Sequence, residues 1–214
     1  MSSRLLGERR FGPFFLTQFL GAFNDNLFKN ALIIVIAFQI TSASGASTDT
    51  LVNLAAGLFV LPMFLFSALG GQIAEKYEKS GLIRRIKLAE IAIMVLAAVG
   101  FAIGSIEFLL LVLFAMGAQS AFFGPVKYGI LPQHLREEEL VAGNGLVEMG
   151  TFLAILLGTV VGGVLVALDG IGSTVVAVCL LVFAVCGYLS ARAIPAAEPS
   201  APSLKVGWNI GTET

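Results

Sequence analysis

Charged residues are scarce in this sequence. Of its 214 residues, 13% are charged and 57% are hydrophobic, and the net charge is -1. Soluble proteins carry about 25% charged residues, so this chain has too few to cover a surface exposed to water. Together with a mean hydropathy of +0.92, this indicates a lipid bilayer as the solvent. The lack of a cationic excess also argues against nucleic acid as a partner.

Residues that bind metals or form disulfides are few. The chain has two cysteines, Cys179 and Cys186, and one histidine, His134. On one helix, cysteines at this spacing lie about 10 Å apart along the axis, whereas the Cα atoms of a disulfide lie about 4.4–6.8 Å apart. The sequence contains no Cys/His cluster, phosphate loop or nucleophile motif. We therefore expect no cofactor, no metal site and no enzymatic activity.

Six long apolar stretches are each able to cross a bilayer core, which takes about 20 helical residues. They are residues 11–40, 51–74, 82–104, 108–131, 140–168 and 171–193. The connections between them are short. The sequence therefore predicts an all-α membrane protein, with a six-helix transmembrane bundle over residues 11–193.

Lysine and arginine outside the first span lie in or beside alternate connections. They precede the first span (Arg4, Arg9, Arg10), fill the second connection (Lys76, Lys79, Arg84, Arg85, Lys87), flank the fourth span (Lys127, Arg136) and follow the sixth (Arg192, Lys205). The first, third and fifth connections have none. By the positive-inside rule, residues 1–10 and the C-terminal segment are both predicted to be cytoplasmic.

The C-terminal segment, residues 194–214, contains three prolines among alanine and serine. This composition is typical of a flexible linker. Because no further domain follows it, we expect a truncated or split protein that lacks a second half.

The first span carries an unusual polar cluster near its middle. Its members are Asn24, Asp25, Asn26, Lys29 and Asn30. An ionisable group in hydrocarbon costs at least about 2.5–3.5 kcal/mol, so the cluster must face protein or a hydrated cavity. Asp25 and Lys29 are four residues apart and are able to pair on one helix face. Either they form a neutralised structural kink, or they lie in the wall of a polar binding site.

Two further groups need partners. Glu148 lies inside the fifth span, with Asn144 one turn before it, and Lys127 lies near the cytoplasmic end of the fourth. Lys127 is a candidate partner for Asp25 or for Glu148, and the alternative is that it extends to the membrane interface. Glu148 is either a cavity residue or a carboxyl that is paired only for packing.

Small residues recur at four-residue spacing in the fifth span, at Ala154, Gly158 and Gly162. This spacing lets helix backbones approach closely. Helix packing is therefore the expected role of this stripe.

Two segments resemble motifs of the major facilitator superfamily. Residues 71–79 (GQIAEKYEK) are similar to its signature between helices two and three, with Glu75 where aspartate is usual and Glu78 where glycine is expected. Residues 158–163 (GTVVGG) resemble its antiporter motif in helix five, with Thr159 in place of proline. The resemblance implies the N-terminal half of that fold, built from two inverted three-helix repeats. It also implies conformational or gating roles for Gly71, Glu75, Lys76, Lys79, Gly158 and Gly162.

Three segments resemble the bacterial lysophospholipid transporter family more narrowly. They are residues 17–26 (TQFLGAFNDN), 124–131 (GPVKYGIL) and 143–148 (GNGLVE). Similar transporter domains are fused to an acyl-glycerophosphoethanolamine acyltransferase and acyl carrier protein synthetase. Trp208 and Asn209 resemble the start of this family's central loop.

The resemblance implies a carrier that moves lysophospholipids, notably lysophosphatidylethanolamine, across the bacterial inner membrane by alternating access. Asp25 and Lys127 match polar cavity residues of the family, and the substrate-binding residues expected here are Asp25, Asn24, Asn26, Lys29, Lys127, Asn144 and Glu148. The implied partners are the lysophospholipid, membrane lipid, an acyltransferase, and a missing C-terminal half or a second copy in a homodimer. Without such a mate, we expect the 214 residues not to transport. The alternatives are a proton-coupled exporter of small amphiphiles and a membrane scaffold for an acyltransferase.

Overall fold

The structure is a computed structural model that describes residues 2–42 and 48–207. The middle of the first connection and the resemblance at Trp208 and Asn209 lie outside the described residues. The described chain forms eight α-helices and one 3-10 turn. The helices are α1 (Ser2–Leu5), α2 (Gly12–Ser42), α3 (Thr48–Lys76), α4 (Lys79–Ile103), α5 (Ile106–Gly129), α6 (Leu131–His134), α7 (Leu140–Val166) and α8 (Gly172–Arg192), and the 3-10 turn is Glu137–Glu139.

Six of the described helices, α2, α3, α4, α5, α7 and α8, are long and apolar enough to cross a membrane. They correspond in order to the six predicted spans, which confirms the predicted fold class. The third of these long helices, α4, begins at Lys79, whereas the predicted span begins at residue 82. The assignment of Lys87 to the cations of the second connection is wrong, because Lys87 is a buried residue of α4.

The helix contacts follow the symmetry of an inverted repeat. The largest interfaces join α2 to α7 and α3 to α5, and the next join α4 to α8, α2 to α8 and α4 to α5. When α2, α3 and α4 are exchanged in order for α5, α7 and α8, the interface of α2 with α7 maps onto that of α5 with α3. The interface of α2 with α8 likewise maps onto that of α5 with α4. The bundle therefore consists of two three-helix units with equivalent packing, as expected for repeats of this kind.

Two apolar clusters form the core. One joins α2, α4, α5, α7 and α8 around Leu27, Met94 and Leu113, and the other lies at the end of the bundle where Phe11, Ile83 and Leu131 meet. Apolar side chains are also widely exposed on the outer faces, for example Phe64, which is 76% exposed, and Phe152. Such faces are suited to contact with lipid hydrocarbon or with another apolar surface, and not with water.

Polar side chains mark the region between the two clusters. Gln18 and Asn24 of α2, Lys87 and Glu90 of α4, and Gln119 of α5 are all buried there. Burial of polar groups is costly unless they are hydrogen-bonded to one another. The sequence therefore places a layer of buried polar side chains at the level where α2 and α5 face each other.

Glu78 fixes the turn between α3 and α4. Its carboxylate accepts hydrogen bonds from the backbone N–H groups of Ser80 at 2.9 Å and Gly81 at 2.6 Å, so it is the N-cap of α4. Partial burial tends to raise the pKa of the Glu78 carboxyl. The hydrogen bonds from Ser80, Ala197 and Gly81 outweigh it and hold the pKa below its ordinary value. The cap is therefore stabilising at neutral pH and is lost as the pH falls through the lowered pKa.

The segment after α8 lies across this turn. The Ala197 N–H donates to Glu78 Oε1 at 2.8 Å, the Lys79 N–H donates to the Ala197 carbonyl at 3.0 Å, and Lys79 Nζ donates to Ser200 Oγ at 2.7 Å. The Ala201 N–H donates to the carbonyl oxygen of Glu75 at 2.9 Å. A flexible linker was predicted over 194–214, but these hydrogen bonds hold its described part, 194–207, against the turn.

Replacing Glu78 should release this segment. The variant Glu78→Ala removes the acceptor of the Ala197 N–H, and a hydrogen bond to a charged group contributes about 1.5–3 kcal/mol. We expect amide hydrogen exchange at Ala197 to become at least about tenfold faster. Glu75→Ala is the matched control, since Glu75 contacts the segment through its backbone carbonyl. Equal exchange at Ala197 in both variants and the wild type would contradict the assignment.

Candidate functional site

A cavity of about 340 Å³ lies in the polar layer. Helices α2 and α5 form its main walls, and side chains of α3, α4 and α7 complete it. Along α2, Gly21, Asp25 and Lys29 recur every four residues, so one face of the helix is directed to the cavity. The equivalence of α2 and α5 in the inverted repeat explains why one site takes residues from both.

Asp25 lies in the cavity wall. Its Oδ2 accepts a hydrogen bond of 3.0 Å from the Ser120 hydroxyl of α5. Its Oδ1 is buried and has no hydrogen-bond partner among the described residues. A buried carboxylate oxygen without a donor is a vacant position for a proton or a cationic group.

Lys29 also lines the cavity, but it does not pair with Asp25. Among the described residues, no carboxylate oxygen lies within 4.0 Å of the Lys29 ammonium. The ammonium lies 4.4 Å from the centroid of the Phe59 ring on α3. The pair that their spacing allows is therefore not formed, and the ammonium lies against the aromatic face of Phe59 instead.

Lys127 pairs with Glu148. Its ammonium lies 3.6 Å from Glu148 Oε1 and donates to the Thr151 hydroxyl oxygen at 3.0 Å. The Tyr128 hydroxyl donates to the same carboxylate oxygen at 2.5 Å. Lys127 is only 9% exposed, so it does not extend to the interface. Glu148 is half-exposed at the rim, outside the cavity lining.

Polar contacts connect the pair of Lys127 and Glu148 to α2. The Thr151 hydroxyl lies 3.0 Å from Gln18 Oε1 and 2.9 Å from the Val147 carbonyl oxygen. Gln18 and Thr151 both line the cavity. Sequence reasoning missed both, because neutral polar residues inside a span give no signal as strong as a charge.

The structure adds a buried ion pair in α4. Lys87 Nζ lies 2.6 Å from Glu90 Oε2, and the two side chains are 1% and 2% exposed. Gln119 Nε2 donates to Glu90 Oε2 at 3.3 Å, and Asn24 Nδ2 donates to Glu90 Oε1 at 3.4 Å. Lys87 and Glu90 both fall inside the predicted third span. The rule that singled out Asp25, that charges inside a span need a polar environment, applied equally to them.

The three asparagines of the first span have different environments. Asn24 is fully buried on the side of Glu90, whereas Asn26 lines the cavity with its amide bonded to the Ala22 carbonyl. Asn30 donates to Thr159 of α7 at 3.0 Å. Asn144 is exposed, donates to the Leu140 carbonyl and does not line the cavity. Of the seven expected binding residues, the cavity therefore brings together Asp25, Asn26, Lys29 and Lys127.

The glycine stripe of α7 lies directly on α2. A Cβ at Gly158 would clash with the carbonyl oxygen of Phe23, and one at Gly162 would lie 2.5 Å from that of Leu27. These contacts account for both glycines by close backbone packing. Gly71 has open space around it, and the Lys76 ammonium lies 5.8 Å from the Tyr77 ring centroid.

Comparison with known proteins shows similarity over almost the whole chain. A family model described as Major Facilitator Superfamily matches residues 14–209. Proteins named lysophospholipid transporter LplT from Salmonella newport (strain SL254), Salmonella heidelberg (strain SL476) and Salmonella typhi are each 34% identical to it over 150 residues. The match covers 70% of this chain and 34% of each relative. The chain thus spans about a third of the length of these curated relatives.

Proposed function

This chain belongs to the major facilitator superfamily, and we propose on that premise that it forms the N-terminal six-helix part of a lysophospholipid transporter that works by alternating access. Its site would be the cavity between α2 and α5. The similarity to proteins named lysophospholipid transporter LplT supports this substrate class. The relatives' greater length supports a second six-helix half, supplied by further chain or by a second copy, as the mate of this bundle.

The observation that carries the proposal is the pairing of opposite charges with apolar surface in one cavity. A lysophosphatidylethanolamine headgroup has an ammonium and a phosphate. The free Oδ1 of Asp25 suits the ammonium, and Lys29, whose ammonium lies over the Phe59 ring, suits the phosphate. Met63 of α3 and Ile155 of α7 line the same cavity and offer apolar contact to the single acyl chain.

The signature turn and the alternating cations support the remainder of the proposal. We place the protein in the bacterial inner membrane with both termini cytoplasmic. Gly71, Glu75, Lys76 and Lys79 would act in gating at the α3–α4 turn, which the segment 194–207 contacts. Gly158 and Gly162 would transmit movement between α7 and α2 through their backbone contact. Reacylation of imported lysophospholipid would make an acyltransferase a functional partner.

The test is transport by the full-length gene product in lipid vesicles. Fluorescent lysophosphatidylethanolamine should become protected from an external quencher faster than in protein-free vesicles, whereas fluorescent diacyl phosphatidylethanolamine should not. A rate equal to that of protein-free vesicles contradicts the proposal.

A proton-coupled exporter of amphiphiles is the second candidate, and the unpartnered Oδ1 of Asp25 favours it because a proton would fill that position. An imposed pH gradient separates the two. Transport that requires the gradient supports the exporter. Transport of lysophosphatidylethanolamine without a gradient supports the first proposal.

A further inference from the structure

Lys87 occupies a narrow passage between two helices. A Cβ on Gly21 of α2 would clash with the Lys87 ammonium, and a Cβ on Gly187 of α8 would lie 3.9 Å from Lys87 Cδ. Gly21 therefore leaves room for this side chain, and Gly187 lies beside it at ordinary contact distance. The ammonium lies 5.1 Å from the Phe123 ring centroid. The lysine reaches the cavity lining, although its Cα belongs to the neighbouring helix α4.

The Lys87 ammonium is also within reach of Asp25. It lies over Gly21, which is one helical turn before Asp25 on the same face of α2. Side chains at this spacing have Cβ atoms about 5–6 Å apart. The charges of Lys87 and Glu90 both act on Asp25. Rotation about the flexible end of the lysine side chain is therefore enough to bring its ammonium to the carboxylate of Asp25.

Glu90 binds the Lys87 ammonium in the structure. Its Oε2 accepts from both Lys87 and Gln119, and its Oε1 accepts from Asn24. A buried ammonium without a partner is strongly unfavourable. If Glu90 lost its charge, the nearest remaining carboxylate on the cavity wall for Lys87 would be Asp25.

We propose that Glu90 is a positioning residue that holds the Lys87 ammonium away from Asp25, and so keeps the Asp25 carboxylate free for the ammonium of a lysophospholipid headgroup. The substrate part of this inference rests on the proposed function. The positioning part does not, because it concerns only how three charges inside the chain pair.

Thermal stability of the full-length protein in detergent tests the positioning part. In Glu90→Gln, Lys87 should turn to Asp25, and the melting temperature should fall only slightly. In the double variant that combines Asp25→Asn with Glu90→Gln, neither carboxylate remains to pair with Lys87. Breaking a buried pair is costly. The melting temperature of this double variant should therefore fall by about 6 °C or more beyond the sum of the losses in the two single variants. Additive losses would overturn the inference, whether or not the protein transports lysophospholipid.

Transport in vesicles tests the substrate part. Glu90→Gln should slow lysophosphatidylethanolamine at least about tenfold, because Lys87 then occupies Asp25. Lysophosphatidylglycerol, whose headgroup has no ammonium, should be slowed less. Adding Lys87→Met to Glu90→Gln should restore the rate for lysophosphatidylethanolamine, since no ammonium then competes for Asp25.

Two transport outcomes would overturn the substrate part. One is an unchanged rate in Glu90→Gln, and the other is a loss that Lys87→Met does not repair, which would mark Glu90 as a packing residue alone. A wild-type protein that moves no lysophospholipid would instead contradict the proposed function. The stability measurement would still decide the pairing of Lys87 in that case.

Discussion

Asp25→Asn is expected to reduce lysophosphatidylethanolamine transport by about ten- to a hundredfold. The substitution keeps the shape of the side chain and an acceptor for the Ser120 hydroxyl, but it removes the negative charge beside the unpartnered Oδ1 position. A charged hydrogen bond contributes about 1.5–3 kcal/mol, which corresponds to this range of rates. Initial rates of fluorescent substrate uptake in vesicles of the full-length protein measure the effect.

Asp169→Asn is the matched control. It makes the same chemical change at an exposed residue of the last connection, which does not line the cavity. Its rate should equal that of the wild type. Wild-type transport by Asp25→Asn, or equal losses in the two variants, would remove Asp25 from the binding site.

Gly162→Ala should destabilise the bundle. The new Cβ would lie 2.5 Å from the Leu27 carbonyl oxygen and 3.1 Å from its Cα, and neither backbone atom moves without displacing α2. Overpacking of this kind costs about 1–3 kcal/mol. We expect a lower melting temperature and less folded protein after extraction in detergent.

Gly163→Ala provides the comparison. The neighbouring glycine would place its Cβ 3.4 Å from the end of the Ile34 side chain, which is an ordinary contact with a group that moves easily. Both variants gain about 0.8–1.0 kcal/mol of helix propensity, so their difference isolates the clash. If Gly162→Ala melted at or above the temperature of Gly163→Ala, the close approach of α7 to α2 would be contradicted.

The helical architecture was readable from the sequence because it depends on long-range features of composition. Six apolar runs of sufficient length allow little besides six helices in a bilayer. The position of Asp25 was readable for a similar reason, since a carboxylate in the middle of such a run must face a polar interior. Resemblance to a known family supplied the inverted repeat, which the helix contacts then reproduced.

Pairings within the cavity were not readable, because they depend on how the helices rotate and slide against each other. Spacing alone allowed Asp25 to pair with Lys29, yet Ser120 and the Phe59 ring are their neighbours in the structure. Lys127 had two candidate partners, and only the approach of α7 to α5 decides for Glu148. Lys87 was missed because the cations of the second connection were counted together, although it lies inside a predicted span.

The inverted repeat has a consequence for the hydrogen bond between Asp25 and Ser120. Gly162 of α7 lies against the backbone of α2 at Leu27, two residues after Asp25. Gly70 of α3 lies against the backbone of α5, where a Cβ would approach the Ala121 carbonyl oxygen to 2.9 Å. The α7–α2 interface thus packs against the helix that carries the acceptor, Asp25, and the α3–α5 interface packs against the helix that carries the donor, Ser120. Bulk added at either glycine displaces a different helix, so two separate helix interfaces control one contact inside the bundle.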